Sequence, residues 1–319
     1  MGVFLCSYFV HLQIMSFIYN CIVLLATFAL SIIALFNKKI KLFVAGRKEI
    51  DQQLARFKKD DAIVWIHTAS LGEFEQGRPV IEKIKEHYPQ YKILLTFFSP
   101  SGYEIQKNYK LADVVCYMPL DSKKNATKFL DVVQPKIAIF IKYEFWPNFL
   151  NALQKRNIPT LLISGIFRKN QTFFKAYGSW MRKSLGAFDH FFVQDENSKK
   201  LLKSIQLTNA TVSGDTRFDR VYEILQQDNS LDFISEFKNN QYTVVAGSTW
   251  KEDETLLVHY INNSAYDDEK FIIAPHNINS KNIDELKRSI QKKVVLYSEM
   301  VASTTLSDQQ VFIVDTIGI

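Results

Sequence analysis

The amino-acid sequence predicts an α/β protein whose strands form parallel sheets. From Ile63 onward, short β-rich apolar runs alternate with helical patterns, which is the rhythm of βαβ units. Small and polar residues repeatedly follow the strands at their carboxyl ends. Because ligands of an open parallel sheet bind outside these strand ends, the loops after the strands form the candidate functional site.

The composition fits a chain of two domains that binds an anionic ligand or surface. The chain has 319 residues, 47% of them hydrophobic, which is enough for two buried cores. Its net charge of +6 is spread along the sequence without a dense basic block, so nucleic acid is not an expected partner. An anionic ligand or an anionic membrane surface explains this positive net charge better than nucleic acid does. Three cysteines argue against a disulfide framework, and scattered histidines give no metal-ligand cluster.

The first element is an almost uninterrupted apolar segment, Val3 to Phe36, which ends at a basic run, 38–41. Ile14–Phe36 has the ~20 apolar residues that a membrane helix needs. A signal peptide and a buried core helix are the alternatives. The segment is long for a signal peptide and lacks both a preceding basic region and a clear cleavage site. We therefore expect an uncleaved anchor, with the following domain on the cytoplasmic side because of the basic run.

The remaining elements follow in order. A polar connector, 46–59, precedes strands at Ile63–Thr68, Lys92–Phe98, Val114–Met118, Ile137–Ile141, Thr160–Ile163, His190–Val193 and Ala210–Val212, with helices between them. One linker helix, Val221–Lys238, leads to a second unit with strands Tyr242–Ala246, Lys270–Ala274 and Gln310–Val314. The expected domains are an anchor (1–45), a first Rossmann-like domain (46–220), a linker (221–240) and a second, incomplete domain (241–319).

An aromatic segment, Phe167–Trp180, has two interpretations. Its rings and its cations Arg168, Lys169 and Lys175 fit a second membrane-contacting surface, whereas ordinary helix packing also explains the pattern. The stretch Thr172–Leu185 is predicted to be helical.

Glu73 is the strongest candidate for chemistry. The first strand stops at Ala69, Ser70 and Gly72, and Glu73 follows where a helix begins. A carboxylate at this strand end would sit at the mouth of a cleft, where it could take part in chemistry. The alternative is a carboxylate that only stabilises the helix N-terminus through the helix dipole.

Six short motifs occur in the order found in the bacterial 3-deoxy-D-manno-octulosonic acid (Kdo) transferases. They are Ser70-Leu71-Gly72-Glu73, Glu144-Phe145-Trp146-Pro147-Asn148, Gly214-Asp215-Thr216-Arg217-Phe218-Asp219, Gly247-Ser248-Thr249-Trp250 with Glu252 and Glu254, Pro275-His276, and Asp315-Thr316-Ile317-Gly318. The chain beyond residue 15 therefore resembles this family of membrane-anchored GT-B glycosyltransferases, which have two facing Rossmann-like domains.

The resemblance implies transfer of Kdo from CMP-Kdo to the lipid A precursor (lipid IVA) at the cytoplasmic face of the bacterial inner membrane, without a metal or cofactor. It assigns the general base to Glu73 and places Glu144 at the active cleft. The family's paired acid is replaced by Lys142, which leaves Glu144 alone or in a salt bridge with Lys142. Arg217 would balance the charge of the departing CMP phosphate, or would form a surface ion pair with Asp215 or Asp219.

The resemblance assigns the donor to the second unit. Ser248 and Thr249 would face the nucleotide, with a Ser/Thr helix cap completed by Glu252 as the structural alternative. Pro275 and His276 match a nucleotide-contacting dipeptide, and Ile317, Gly318 and Ile319 match a further nucleotide loop.

The family's later Gly-Gly-His-Asn-x-x-Glu-Pro stretch is not in this sequence, so little transferase activity is expected of it alone. The alternatives are a non-catalytic, membrane-tethered acceptor-binding fragment and another nucleotide-sugar GT-B transferase.

Overall fold

The computed structural model describes residues 2–300 and 305–316. The chain divides into two compact units, Met1–Gln226 and Gln227–Ile319. Each unit is built on a parallel sheet, which confirms the predicted α/β class.

The first unit begins with three helices, α1 (Gly2–Ile33), α2 (Lys38–Gly46) and α3 (Ile50–Leu54). Within α1, the segment Gln13–Ile33 is long and apolar enough to cross a membrane. The basic run forms the first turn of α2, whose N-terminus is capped by the Asn37 side chain.

The sheet of the first unit has seven parallel strands, and the order in which they are added to the sheet reverses near its centre. The strands are β1 (Ile63–Thr68), β2 (Lys92–Phe97), β3 (Val114–Tyr117), β4 (Ile137–Ile141), β5 (Thr160–Gly165), β6 (His190–Val193) and β7 (Ala210–Val212). The helices that follow them are α4 (Leu71–His87), α5 (Pro100–Gln106), α6 (Lys123–Val133), α7 (Pro147–Lys155), α8 (Ser179–Leu185), α9 (Glu196–Ser204) and α10 (Arg217–Leu225). The spatial order is β3-β2-β1-β4-β5-β6-β7. Since the order reverses between β1 and β4, the carboxyl ends of these two strands form the topological switch point.

The core of the first unit is centred on Trp65 in β1. Every residue of β1 is buried, as expected of a parallel strand covered on both faces. The Trp65 ring lies 5.0, 5.2 and 5.7 Å from the rings of Phe129, Phe140 and Phe149. This aromatic cluster joins β1, β4, α6 and α7 and so fixes the two strands that carry the candidate site.

The second unit contains a smaller parallel sheet. Its helices are α11 (Asp232–Lys238), α12 (Lys251–Asn263) and α13 (Ser280–Ser289), and its strands are β8 (Thr243–Thr249), β9 (Lys270–Pro275), β10 (Val294–Leu296) and β11 (Val311–Ile313). The strand order is β10-β11-β9-β8. Phe237 and Phe312 are fully buried and pack with ring centroids 5.5 Å apart, which attaches α11 to the sheet.

The prediction of one linker helix over Val221–Lys238 is wrong, because α10 and α11 are separate. Between them the Asp228 side chain accepts hydrogen bonds from the backbone N–H and the hydroxyl of Ser230. Such a local side-chain bond competes with helical hydrogen bonding and ends the helix. In the second unit β8 continues to Thr249 instead of ending at Ala246, and β10 is an additional strand.

The aromatic segment is partly core, because Phe167 and Phe173 are buried whereas Tyr177 is 68% exposed. The single predicted helix, Thr172–Leu185, is replaced by two 3₁₀ turns, Thr172–Phe174 and Ala176–Gly178, followed by α8. A Cβ at Gly178 would lie 1.7 Å from the Thr172 carbonyl oxygen, so only glycine allows this tight turn. Phe173 is buried with its ring 5.1 Å from that of Phe145. Phe173 therefore packs in the interior and is not a membrane-contacting side chain.

Candidate active site

Glu73 lies in the first turn of α4, directly after the carboxyl end of β1. Ser70 occupies the N-cap position in extended conformation, and its hydroxyl donates a hydrogen bond to Glu73 Oε2. The side chain is half-buried at the positive end of the helix dipole, which stabilises negative charge. Oε1 has no hydrogen bond to any residue that the structure describes. Glu73 thus has one oxygen held in place and one that can accept a proton.

A glycine brings Glu73 close to the sheet. A Cβ on Gly77 would lie 3.2 Å from Ile141 Cγ1 and 3.3 Å from Thr68 Cγ2. The absence of a side chain lets α4 approach both strands of the switch point. The first turn of α4 is therefore fixed directly over the carboxyl ends of β1 and β4.

Glu144 follows β4, the neighbour of β1, and is 8% exposed. The Trp146 indole N–H donates to Glu144 Oε2 at 2.7 Å, and His67 Nε2 lies 3.2 Å from the same oxygen. A buried carboxylate costs free energy unless it is hydrogen-bonded, and these two groups supply the bonds. Trp146 and His67 therefore fix one Glu144 oxygen at the strand end.

The hydrogen bonds of His67 extend to a third buried group. Thr96 Oγ1 is 2.8 Å from His67 Nδ1 and 2.8 Å from Trp65 Nε1. Because an indole N–H can only donate, Thr96 Oγ1 accepts from Trp65, and its own proton is within reach of both His67 Nδ1 and the Ile66 carbonyl oxygen, the latter at 3.4 Å. His67 thus links Glu144 to Thr96 and Trp65 inside the core. Sequence reasoning missed His67, although it is the single ionisable residue of β1, which is otherwise mostly apolar.

Lys142 does not pair with Glu144 within the described residues. Its backbone is left-handed, with φ +70°, and its ammonium lies 5.3 Å from the centroid of the Tyr143 ring. The salt-bridge alternative for Glu144 is thus replaced by the bonds to Trp146 and His67.

Arg217 forms an ion pair with Asp215. Its Nε and Nη2 both donate to Asp215 Oδ2, and its own backbone N–H donates to Oδ1. The Arg217 side chain is 60% exposed, and Nη1 has no hydrogen bond in the described part of the chain. The surface ion pair is therefore observed, while part of the guanidinium faces solvent.

Asp215 connects this loop to α4. Gln76 Nε2 donates to Asp215 Oδ1 at 2.9 Å, and the Thr216 hydroxyl donates to the Gln76 carbonyl oxygen at 2.6 Å. Partial burial opposes ionisation of Asp215, but the hydrogen bonds from Arg217 and Gln76 outweigh it and lower its pKa to about 2. The loop after β7 is thus held against the helix that carries Glu73.

In the second unit, Ser248 and His276 meet at the carboxyl ends of β8 and β9. Ser248 has φ +56°, and its hydroxyl lies 3.0 Å from His276 Nδ1. The backbone N–H of His276, which follows Pro275, donates to the Thr249 carbonyl oxygen. The Trp250 ring stacks on His276 with centroids 4.3 Å apart. Trp250, half-exposed beside the histidine, was absent from the predicted site.

The helix cap of α12 differs from the predicted one. Trp250 is the N-cap residue, and its backbone N–H donates to Asp253 instead of Glu252. Thr249 is buried, and its hydroxyl donates to Glu254 at 3.2 Å. Ser248 is therefore the exposed hydroxyl of this loop. Ile317, Gly318 and Ile319 lie outside the described residues.

Two units, each built on a parallel sheet, fit the GT-B fold class. The fold is similar to that of UDP-GlcNAc 2-epimerase from Neisseria meningitidis bound to UDP-GlcNAc, with a TM-score of 0.53 at 14% identity over 81% of this chain and 73% of that one. The chain belongs to the 3-deoxy-D-manno-octulosonic-acid transferase (kdotransferase) family, whose model matches residues 47–220. The predicted family is confirmed.

Individual relatives are distant in sequence. A bifunctional glycosyltransferase/methyltransferase from Fusobacterium nucleatum is 26% identical over 93% of this chain and 47% of its own length. A 3-deoxy-D-manno-octulosonic acid transferase from Rickettsia bellii is 25% identical over 70% of this chain and 55% of its own length. The chain thus spans about half the length of these curated relatives.

Proposed function

We propose that this chain acts in the transfer of Kdo from CMP-Kdo to the lipid A precursor, lipid IVA, in lipopolysaccharide core biosynthesis. Family membership supports Kdo as the sugar, and the position of Glu73 at the switch point of the first sheet carries the proposal. The acceptor binds beside Glu73 in the first unit.

Glu73 is the general base of this reaction. A hydroxyl oxygen of the acceptor forms a bond to the anomeric carbon of Kdo, and the bond from that carbon to the CMP phosphate breaks. The hydroxyl proton moves to Glu73 Oε1, and the negative charge leaves on CMP. Ser70 holds Oε2, so the carboxylate keeps one orientation while Oε1 accepts the proton.

Glu144 and Arg217 shape the charge of the first-unit site. Glu144 presents a fixed carboxylate edge to the acceptor because Trp146 and His67 hold it. The solvent-facing part of the Arg217 guanidinium offsets the charge of the departing phosphate.

In the second unit, we assign donor binding to Ser248, Thr249, Pro275 and His276, and the nucleotide role of Ile317, Gly318 and Ile319 stays a prediction from the sequence. The exposed Ser248 hydroxyl and the half-exposed Trp250 ring support nucleotide contact there. We assign the chain to the cytoplasmic face of the bacterial inner membrane, where α1 attaches it.

The experiment measures CMP release and lipid product mass with CMP-Kdo and lipid IVA. In a version of the protein that carries the Gly-Gly-His-Asn-x-x-Glu-Pro stretch, Glu73→Gln should lower kcat by roughly 10²–10⁴-fold, as expected on loss of a general base. Glu75→Gln is the matched control on the same helix, since the ion pair that Glu75 makes with Arg78 is long, at 3.9 Å. Glu75→Gln should keep nearly full activity.

Other results would change the assignment. Equal activity of Glu73→Gln and Glu75→Gln would remove the base role. Binding of lipid IVA without turnover by the wild-type chain would favour an acceptor-binding module, and turnover with UDP-sugars in place of CMP-Kdo would favour another transferase.

A further inference from the structure

Arg47 is a partly buried cation that has no carboxylate partner among residues 2–300 and 305–316. It directly follows α2, the helix after the candidate membrane span. Burial lowers the pKa of Arg47 to about 9, so its guanidinium still carries a positive charge at neutral pH. Shielding a charge from water costs free energy unless hydrogen bonds or other groups compensate it. The groups that compensate Arg47 therefore show what this residue holds in place.

Two backbone carbonyl groups accept hydrogen bonds from the Arg47 guanidinium. Nη1 donates to the Phe43 carbonyl oxygen at 2.9 Å, and Nη2 donates to the Phe98 carbonyl oxygen at 2.9 Å. The first bond caps the carboxyl end of α2, where a cation also meets the negative end of the helix dipole. The second bond crosses 51 positions of the chain and reaches the loop after β2. Helix capping explains the first bond, whereas the second joins α2 to the sheet.

Aromatic rings surround the guanidinium. Its central carbon lies 3.6 Å from the centroid of the Phe43 ring and 4.9 Å from those of the Phe98 and Tyr117 rings. Aromatic faces attract cations, and the attraction is stronger where water is excluded. A Cβ on the preceding Gly46 would lie 2.2 Å from Tyr117 Cε2, so glycine lets α2 approach the carboxyl end of β3. Arg47 is therefore fixed over the ends of β2 and β3.

Phe98, whose carbonyl group binds Arg47, also contacts the tryptophan that holds Glu144. The centroids of the Phe98 and Trp146 rings lie 4.6 Å apart, and the Trp146 indole N–H donates to Glu144 Oε2 at 2.7 Å. A displaced Phe98 would let the Trp146 ring tilt, and the indole N–H would then no longer orient the carboxylate. Arg47 is thus connected to Glu144 through two aromatic residues.

Phe98 also binds the loop that precedes Glu73. Its backbone N–H donates to the Ala69 carbonyl oxygen at 3.2 Å, and the N–H of the next residue donates to the same oxygen at 2.7 Å. Ala69 is followed by Ser70, whose hydroxyl donates to Glu73. Phe98 therefore joins Arg47 to both carboxylates of the candidate active site.

We propose that Arg47 is a positioning residue of the active site. It acts through Phe98, which sets the orientation of the Trp146 indole beside Glu144 and the position of the loop before Glu73. Helix α2, which follows the membrane span, is in this way part of the scaffold that orients both carboxylates. The inference rests on the proposed function for the roles of these carboxylates, but the contacts themselves do not depend on which sugar is transferred.

Fluorine NMR of the full chain labelled with 5-fluorotryptophan tests this connection without turnover. The chain has four tryptophans, and single Trp→Phe changes assign their resonances. Arg47→Met removes the charge and both hydrogen bonds, so the Trp146 resonance should shift, whereas that of Trp65 in the core should stay unchanged. Lys48→Met is the matched control, because the exposed neighbour of Arg47 loses the same charge. It should leave all four resonances in place.

Kinetics measure the consequence in a version of the protein that carries the Gly-Gly-His-Asn-x-x-Glu-Pro stretch. Arg47→Met and Phe98→Leu should each lower kcat by roughly 10–100-fold, since misplacing a catalytic group by about 1 Å can cost about 10²-fold. The KM for CMP-Kdo should stay unchanged, because the donor is assigned to the second unit. Arg47→Lys keeps the charge and can donate to both carbonyl groups, so it should restore part of kcat. Lys48→Met should match the wild type.

The outcomes separate this inference from the proposed function. A Trp146 resonance that shifts in Arg47→Met while the wild type transfers no Kdo would support the connection and contradict the proposed function. An unchanged Trp146 resonance in Arg47→Met, with transfer by the wild type, would overturn the inference. If Arg47→Met also lost the Trp65 resonance, the core would have unfolded, and Phe98→Leu would decide. A wild-type kcat in Phe98→Leu would then overturn the inference.

Discussion

At the residue scale, Glu144 is held by a buried chain of hydrogen bonds that passes through Thr96 and His67. Thr96→Val removes the acceptor of the Trp65 indole and the partner of His67 Nδ1, and leaves both groups buried. We expect a loss of roughly 1–3 kcal/mol in the free energy of unfolding, the usual cost of a buried group left without a partner. Urea unfolding measures it. Thr127→Val, the same change at an exposed position, should cost little, and equal losses in both variants would contradict the network.

Asp121 gives the first unit a dependence on pH. Burial raises its pKa to about 6, although it accepts hydrogen bonds from the Asn148 and Phe149 N–H groups and from Tyr19. Between about pH 4 and pH 6 the folded chain keeps a proton that the unfolded chain has lost. The free energy of unfolding therefore falls as pH rises through this window and is level above it.

Asp121→Asn should remove that slope. The stability of the wild type relative to this variant should fall by roughly 2–3 kcal/mol between about pH 4 and about pH 7. Urea unfolding midpoints at the two pH values give the difference. Asp60→Asn, in an exposed loop, should keep the wild-type slope, and a parallel slope in Asp121→Asn would show that another group titrates.

Sequence reasoning found some of these residues and had no means of finding others. The position of Glu73 after a strand was predictable because a strand, a small-residue loop and a helix start are local patterns. His67 meets Thr96 only through the register of β1 with β2. Gln76 meets Asp215 across 139 positions of the chain. Such pairings depend on how helices and strands pack, and no local pattern encodes them.

At the scale of elements, Gly77 sets the distance between α4 and the sheet. Gly77→Val would press a branched side chain onto Ile141 and Thr68, and we expect a cost of roughly 1–3 kcal/mol from overpacking. Thermal or urea unfolding measures this cost. Gly72→Ala is the control on the same helix, since a Cβ there would be 3.8 Å from the Ser70 hydroxyl. Gly72→Ala should stabilise the helix slightly. If Gly77→Val were as stable as the wild type, α4 would have room to move away from the sheet.

Element boundaries show where local patterns fail. The strands of the first sheet were predicted because each is a short run rich in apolar residues and bounded by polar loops. Hydrogen bonds from Ser230 to the Asp228 side chain lie at the break between α10 and α11, and the turns over 172–178 depend on the space at Gly178. β10 has three residues, too few to show a period.

At the scale of the whole molecule, each unit encloses its own hydrophobic core. Phe140 lies in the core of the first unit, and Phe312 is stacked on Phe233 in the second. We expect Phe312→Ala to cost about 3–5 kcal/mol, because the vacated volume is fully buried. Amide hydrogen exchange should then accelerate in β9 and β11 and stay unchanged in β1 and β4, since locally cooperative units open separately. Phe140→Ala should give the reverse pattern, and acceleration in both sheets by either variant would show that the two cores unfold as one.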